Sequence, residues 1–114
     1  MNRFLVIDQD RAATQSLGLA CLERGVGVAM AETVCEGVRV LLSATASLIV
    51  VDGALLRLTA REHATLFERV APGVPVIVVV RPETSLDLRV GFELAGFRVL
   101  TRPVTVEDLL EKLG

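Results

Sequence analysis

The fold is decided by a short apolar run that ends on a carboxylate, Leu48-Ile49-Val50-Val51-Asp52. Four consecutive aliphatic residues leave no polar face, which is typical of a strand covered on both sides of a parallel sheet. The runs Phe4–Ile7 and Val76–Val80 have the same character. Weaker runs at Val26–Met30 and Phe97–Leu100 complete a set of five predicted strands.

Segments with helical spacing separate these strands. The first helix is predicted over Arg11–Arg24, with an apolar face formed by Ala13, Leu17, Ala20 and Cys21. The second is predicted over Val34–Ser43, with a stripe formed by Val34, Val38, Leu41 and Leu42. A fourth helix is predicted over about Ser85–Ala95.

Three helix starts carry a capping box, in which a Thr hydroxyl and a later carboxylate bind backbone N–H groups that the first turn leaves free. They are Thr33–Glu36, Thr59–Glu62 and Thr105–Asp108. Strand and helix thus alternate five times along the chain. This alternation predicts an α/β fold with helices on both faces of a parallel sheet and right-handed crossovers. Five units fit a flavodoxin-like (βα)5 three-layer sandwich with strand order 2-1-3-4-5, as a single domain over residues 1–114.

Composition excludes several classes of protein. The 114 residues are 52% hydrophobic and carry a net charge of −2, which excludes a disordered tail and argues against nucleic acid as a partner. The longest apolar stretch is far shorter than a membrane span, so we expect a soluble, cytoplasmic protein. Cys21 and Cys35 are expected to be buried small hydrophobes, and the lone His63 to be a solvent-facing helix residue.

Charged side chains follow the predicted strands where each strand ends. Asp8 follows the first strand, Asp52 ends the third, and Arg102 follows the fifth. Because the carboxyl ends of parallel strands lie along one edge, these groups are predicted to converge there. Convergent carboxylates need a cation, a basic side chain or a shared proton. The alternative is that Asp8, Asp10 and Asp52 only cap the helices that follow them.

Residues from four segments resemble the response-regulator receiver domain (CheY-like), and the resemblance covers essentially the whole chain. The segments that carry it are Leu5–Asp10, Leu48–Asp52, Pro75–Val80 and Arg102–Val104. In that family an aspartate ending the third strand accepts phosphate from a histidine kinase, and acids at the first strand help to hold Mg²⁺. A hydroxyl after the fourth strand and a lysine after the fifth contact the phosphoryl group.

The resemblance makes Asp52 the candidate phospho-acceptor and places Asp8, Gln9 and Asp10 in the acidic pocket. Gln9 stands at the second of the paired acids, so metal binding by Asp8 and Asp52 is expected to be weak or lost. The family's *cis* Lys-Pro bond corresponds here to Arg102-Pro103.

Three further positions depart from the family pattern. Val80 replaces the hydroxyl, Arg102 replaces the lysine, and Val99 occupies the position of an aromatic switch residue. Val80 offers no hydrogen-bond donor to a phosphoryl group. Arg102 keeps its charge and could reach across to Asp8 and Asp52 in place of a metal, or alternatively extend into solvent.

The sequence therefore predicts an atypical receiver domain of a bacterial two-component system. It would act mainly as a protein-interaction module, would not be an enzyme, and would hold Mg²⁺ weakly or not at all. Its partners would be a histidine kinase or another signalling protein, with a possible homodimer through residues 85–114. One alternative is a working receiver phosphorylated at Asp52, and another is a flavodoxin-like domain that binds a small ligand in an apolar pocket.

Overall fold

A computed structural model describes residues 2–113, so that Met1 and Gly114, the last residue of the predicted pairing segment, lie outside the described residues. Five parallel strands form one sheet in the order β2-β1-β3-β4-β5, which confirms the predicted topology. The strands are β1 (Arg3–Ile7), β2 (Gly27–Ala31), β3 (Leu48–Asp52), β4 (Val76–Val80) and β5 (Arg98–Thr101). The fifth begins one residue later than the sequence predicts.

Five α-helices connect the strands, and a short 3₁₀ turn at Gly53–Leu55 follows β3. The helices are α1 (Arg11–Glu23), α2 (Val34–Ser43), α3 (Ala60–Val70), α4 (Leu86–Leu94) and α5 (Val106–Leu113). Within residues 2–113, no helix combines the length and the apolar character that a membrane span requires.

Alternate residues of each buried strand feed two separate cores. In β1, Leu5 and Ile7 pack with residues of α2, α3 and α4, whereas Phe4 and Val6 pack with residues of α1 and α5. This follows from the period of two in a strand, whose successive side chains point to opposite faces. The sheet is therefore the middle layer of a three-layer sandwich.

The predicted capping boxes are realised to different degrees. At α3 and at α5, the Thr hydroxyl and the later carboxylate each accept a backbone N–H, as in Thr59–Glu62. At α2 the Thr33 hydroxyl accepts from the Glu36 N–H, but the Glu36 carboxylate accepts from the N–H of Glu32 instead. One half of that predicted box is therefore wrong.

For several helical side chains, the burial predicted from the sequence is wrong. Cys21 is buried as predicted, but Cys35 is exposed because it lies on the solvent side of the first turn of α2. Leu42 is 72% exposed, since it lies about 100° around the helix from the buried Leu41. On α1, the predicted face residue Ala13 is exposed, and Thr14 is buried with its hydroxyl donating to the Asp10 carbonyl at 2.7 Å.

His63 contradicts its prediction most clearly. Its side chain is 3% exposed rather than solvent-facing. The ring lies beside Phe67, with a centroid distance of 6.5 Å, on the face of α3 that packs toward the sheet. The lone histidine is therefore part of the core. The charged residues beside it in the sequence, Arg61 and Glu62, led to the wrong prediction of a solvent-facing position.

Two helical glycines make a matched test of the packing. A Cβ on Gly37 of α2 would lie 2.5 Å from Cδ1 and 2.9 Å from Cγ1 of the buried Ile7, whereas a Cβ on Gly91 of α4 would meet nothing within 4 Å. We expect Gly37→Ala to lower the free energy of unfolding by about 1 kcal/mol, because overpacking outweighs the better helix propensity of Ala. We expect Gly91→Ala to raise it by about 0.5–1 kcal/mol.

Urea unfolding of both variants beside the parent protein checks these signs. A Gly37→Ala protein as stable as the Gly91→Ala protein would contradict the close approach of α2 to β1.

Candidate functional site

The carboxyl ends of β1 and β3 bring two carboxylates together. The two strands are direct neighbours, with Ile7 paired to Val51, so that Asp8 and Asp52 follow at adjacent positions on one edge. In a parallel pair, residues at matching register positions lie side by side, so the register brings both residues to the same edge of the sheet. The predicted convergence of these two side chains is confirmed.

Each of these carboxylates uses one oxygen for local structure. Oδ1 of Asp8 accepts from the N–H of Asp10 at 2.9 Å, and Oδ1 of Asp52 accepts from the N–H of Ala54 at 3.1 Å. Asp10 caps α1 by accepting from the N–H of Ala13 at 3.1 Å. Capping and convergence, posed as alternatives, therefore occur together at Asp52, which caps the 3₁₀ turn, whereas Asp8 accepts from the loop before α1 and caps no helix. The second oxygen of each carboxylate stays free for another partner.

That second partner is Arg102. Its Nη2 lies 2.5 Å from Oδ2 of Asp8 and 3.4 Å from Oδ2 of Asp52. The Arg102 backbone N–H also donates to the Val80 carbonyl at 2.9 Å, which fixes the residue at the edge of the sheet. The prediction that Arg102 reaches across to both acids is confirmed, and its alternative, a side chain extended into solvent, is wrong.

The electrostatics follow from partial burial. The Arg102, Asp8 and Asp52 side chains are 27%, 11% and 20% exposed. Burial by itself lowers the pKa of Arg102, but the hydrogen bond to Asp8 and the charges of Asp8, Asp52 and Asp10 outweigh it and raise that pKa above its ordinary value. The guanidinium is therefore permanently charged and compensates one of the two converging carboxylates.

Among the described residues, the side chains at the remaining candidate positions form no hydrogen bond with this ion pair. Gln9 is exposed beside Asp8, Val80 is buried in the core at the end of β4, and Val99 is partly buried in β5 against the same core. At Gly53 the backbone comes close to β4, since a Cβ there would lie 3.1 Å from Cγ1 of Val78. The peptide bond between Arg102 and Pro103 is *cis*, as the family resemblance implies.

The donor set is poor for a metal ion. In the part of the chain that the structure describes, no three acidic, histidine or cysteine side chains lie close enough to hold a metal together. The Asp10 carboxylate is engaged at the start of α1, and the free oxygens of Asp8 and Asp52 both face the Arg102 guanidinium. Mg²⁺, which favours several oxygen ligands in octahedral geometry, does not fit these residues as they are arranged.

Sequence reasoning missed Arg89. From α4 its guanidinium donates to the Thr101 hydroxyl at 2.8 Å and, at 3.4 Å each, to the carbonyls of Arg81, Pro82 and Thr84. The side chain therefore ties the β4–α4 loop to the end of β5. Three of the four acceptors are backbone carbonyls, which every residue carries, so the sequence could not predict this contact.

An apolar groove borders the ion pair on the face of the sheet that α1 and α5 cover. It has a volume of about 700 Å³ and lies between α1 and α5, with Leu17, Ala20 and Val104 in its walls. Asp8 and Arg102 line it too, as do Arg24 and Glu107, whose charged groups are 3.1 Å apart. This groove is the apolar pocket with polar anchors that a small-ligand binder would need.

Known proteins are similar to this chain in sequence and in fold. The sequence is 30% identical over 112 residues to the transcriptional regulatory protein GlrR of Escherichia coli K12. The match covers 96% of this chain but only 24% of GlrR, so this chain spans about a quarter of the length of that relative. A CheY-like response regulator receiver domain protein from *Methanospirillum hungatei* JF-1 is 28% identical with a TM-score of 0.82, covering 99% of this chain and 90% of that one. The beryllofluoride-activated NtrC4 receiver domain dimer is 25% identical with a TM-score of 0.83, covering 99% and 93%. No protein-family model matches the chain.

Removing Arg102 tests its role between the carboxylates. We expect Arg102→Gln to lower the free energy of unfolding at pH 7 by about 1–3 kcal/mol, because a charge-assisted hydrogen bond is lost and two partly buried carboxylates are left to repel. Arg24→Gln is the matched control, since its 3.1 Å pair with Glu107 is about half exposed on both sides. We expect that control to cost less than about 1 kcal/mol.

Urea unfolding of the two variants measures the difference. Equal losses would mean that the Arg102 pair contributes no more than a surface ion pair does.

Proposed function

Because this chain is a CheY-like response-regulator receiver domain, a component of two-component signalling, we propose that it acts mainly as a protein-interaction module with impaired phosphorylation at Asp52. It is not itself an enzyme in this proposal. Its partners are a histidine kinase or another signalling protein, and a second copy of the chain. The position of Arg102 is the main support for impaired phosphorylation.

Phosphoryl transfer to Asp52 depends on its free oxygen and on groups that stabilise the equatorial oxygens of the phosphoryl group. The Arg102 guanidinium lies 3.4 Å from that free oxygen and also contacts Oδ2 of Asp8, so that it occupies the free oxygens of both carboxylates. Val80 supplies no hydroxyl, and Gln9 supplies no charge. Loss of two stabilising contacts at about 2.7–4 kcal/mol each slows transfer by about 10⁴-fold or more.

The β4–α4 loop gives a second reason. Arg89 holds the loop carbonyls and the Thr101 hydroxyl together from α4, so that the loop is pinned to β5 without any phosphoryl group. Val80 and Val99 provide neither the hydroxyl nor the aromatic ring that the family uses to report phosphorylation. A loop fixed in one place favours a constant binding surface over a switched one.

The binding surface that we propose is an apolar stripe on α4. It consists of Leu86, Val90 and Leu94, spaced four residues apart and 73%, 40% and 83% exposed. Residues with this spacing form one face of a helix, and a contiguous exposed apolar face is typical of a protein contact. Asp87 and Glu93 flank the stripe on α4 and Arg98 is exposed on β5.

A second copy of the chain is the occupant that these charges favour. In a two-fold pair, the acidic groups of one α4 could face Arg98 of the other copy, because the same patch serves both sides. The similar NtrC4 receiver domain is itself a dimer in its beryllofluoride-activated form. The stripe lies within the segment 85–114 that the sequence nominated for pairing.

The α1–α5 groove keeps small-ligand binding as a second candidate, of lower rank. Its Asp8 and Arg102 groups are already paired with each other at 2.5 Å, so a ligand would have to compete for them. The Tyr and Trp side chains that commonly line ligand pockets are absent from the sequence. The protein-interaction function is therefore better supported than the ligand function.

Restoring the family's residues tests the phosphorylation proposal. We expect the parent protein, incubated with Mg²⁺ and a small-molecule phosphate donor, to show little mass increase. We expect the triple variant Gln9→Asp, Val80→Thr, Arg102→Lys to gain roughly 80 Da, the mass of a phosphoryl group, because the metal ligand, the hydroxyl and the ammonium return together.

Intact-mass spectrometry measures the product. The same triple variant with Asp52→Asn is the control and should show no gain. An Asp52-dependent product on the parent protein, formed as fast as on the triple variant, would establish a working receiver instead.

Charge substitution tests the α4 stripe. We expect Leu94→Glu to weaken self-association by about tenfold or more, since a carboxylate must be desolvated at the contact. Leu42→Glu on α2 is the matched control, because Leu42 is 72% exposed but lies on a different helix away from the stripe. Sedimentation analysis over a range of concentrations measures the association. A parent protein that is monomeric throughout, or equal effects of the two variants, would overturn pairing through α4.

A further inference from the structure

His63 is the only histidine of the chain, and its imidazole is held in a defined state inside the protein. Nε2 accepts a hydrogen bond from the backbone N–H of Leu58 at 3.0 Å. A ring nitrogen that accepts cannot carry a proton, so the proton of the neutral ring is on Nδ1. The ring is therefore neutral while this bond exists.

The bond acts on the segment that joins Asp52 to α3. That segment runs through the 3₁₀ turn at Gly53–Leu55 and reaches α3 at Ala60. Among the hydrogen bonds of the described residues, His63 supplies the one side-chain contact to the backbone of residues 55–58. The Leu58 side chain is itself 54% exposed and contributes little burial, whereas Leu55 and Leu56 pack against the core. The imidazole therefore anchors the end of the segment at Leu58, just before α3.

Protonation is incompatible with this arrangement. A proton on Nε2 would face the Leu58 N–H donor against donor, and the bond would be lost. Nδ1 is buried and has no hydrogen-bond partner among residues 2–113, so no acceptor is in place to stabilise an imidazolium. The neighbouring Phe67 ring adds an apolar wall. The charged form is accommodated only when the ring or the segment moves toward water.

The charges around His63 do little to offset burial. Burial lowers the pKa of His63, and the adjacent Glu62 carboxylate raises it by a smaller amount. The elements packed against α3 carry other charged groups, which add nothing appreciable at the ring: Arg57 in the segment, Glu36 and Arg39 on α2, and Asp87, Arg89 and Glu93 on α4. The neutral state is therefore the stable one at neutral pH.

We propose that His63 is an acid-sensitive latch on Leu58, holding the end of the segment that leads from Asp52 to α3 while its ring is neutral and releasing it when the ring is protonated. The latch is independent of phosphorylation and of pairing through α4. It requires only the Leu58 bond, the buried ring and the unpartnered Nδ1 described above.

NMR of the parent protein tests the latch directly, because a single histidine gives a single set of imidazole signals. We expect the Nδ1–H form at neutral pH and a titration midpoint below the ordinary value of about 6.5. We expect the amide signals of Arg57 and Leu58 to move with that same midpoint, and those of β2 to stay in place. A midpoint at or above the ordinary value, an Nε2–H form, or a Leu58 amide that does not follow the ring would overturn the proposal.

The stability of the protein should change with pH in the same window. The unfolded state binds the proton more readily than the folded state, so stability is fully present above about pH 6.5 and falls as the pH drops toward the folded midpoint. One proton of difference raises the unfolding equilibrium constant by up to about tenfold for each pH unit within that window. His63→Gln should lack this component when its urea unfolding is compared with that of the parent protein across the same pH range.

Glu62→Gln provides a second variant that leaves the ring in place. Gln at this position preserves the capping box with Thr59 but removes the carboxylate that favours the charged ring. We expect the His63 midpoint to fall further in this variant. A midpoint that rises would show that contacts other than burial and Glu62 set the charge of the ring, and would overturn the latch as described.

Discussion

Two carboxylates at adjacent strand ends repel each other, and the parallel sheet gives them no way to separate. Asp8 and Asp52 are placed by the register of β1 and β3, which is in turn set by cores packed on both faces of the sheet. Backbone N–H groups satisfy one oxygen of each carboxylate, and Arg102 faces the other. Arg102 and the two carboxylates therefore form one ion-pair network at the edge of the sheet. The chemistry available at that edge depends on this network.

The sequence predicted the sheet and the convergence of the two carboxylates because both depend on strongly patterned features, whereas it left the Arg102 contact as one of two alternatives. Apolar runs identify buried strands whatever packs on them, and the ends of parallel strands meet at one edge. Leu42, Cys35 and His63 were placed on the wrong sides, because a helical wheel fixes angles between residues but not which angle faces the sheet. Arg89 could not be predicted at all, since its acceptors are chiefly carbonyls that every residue carries.

The Arg102 and Arg89 side chains act on the same region from two directions. Arg102 ties the β5 end to the carboxylates of β1 and β3, and Arg89 ties it through Thr101 to the β4–α4 loop. The end of β5 is therefore held by charged groups on both sides of the sheet edge. Since α4 follows that loop directly, its exposed leucines lie on a helix whose start is fixed by these contacts. A braced apolar surface loses less conformational entropy on binding than a mobile one does.

In the proposed function, the difference between a guanidinium and a metal ion determines how the site responds to phosphorylation of Asp52. A metal ion binds reversibly, so its site can be emptied, filled or shared with a phosphoryl group. Arg102 is covalently attached, carries its charge at every physiological pH, and prefers planar partners that it can hold with two donors. Phosphorylation of Asp52 would add about −1.5 to −2 charges at a carboxylate whose counter-ion is already shared with Asp8. A guanidinium that turned toward the new charge would weaken its 2.5 Å contact with Asp8. A modification can shift a conformational equilibrium only by its differential affinity for the two states. The contact that stabilises the unmodified site therefore opposes the change. This supports the proposed function, in which the binding surface is set by the sequence rather than by the phosphorylation state of Asp52.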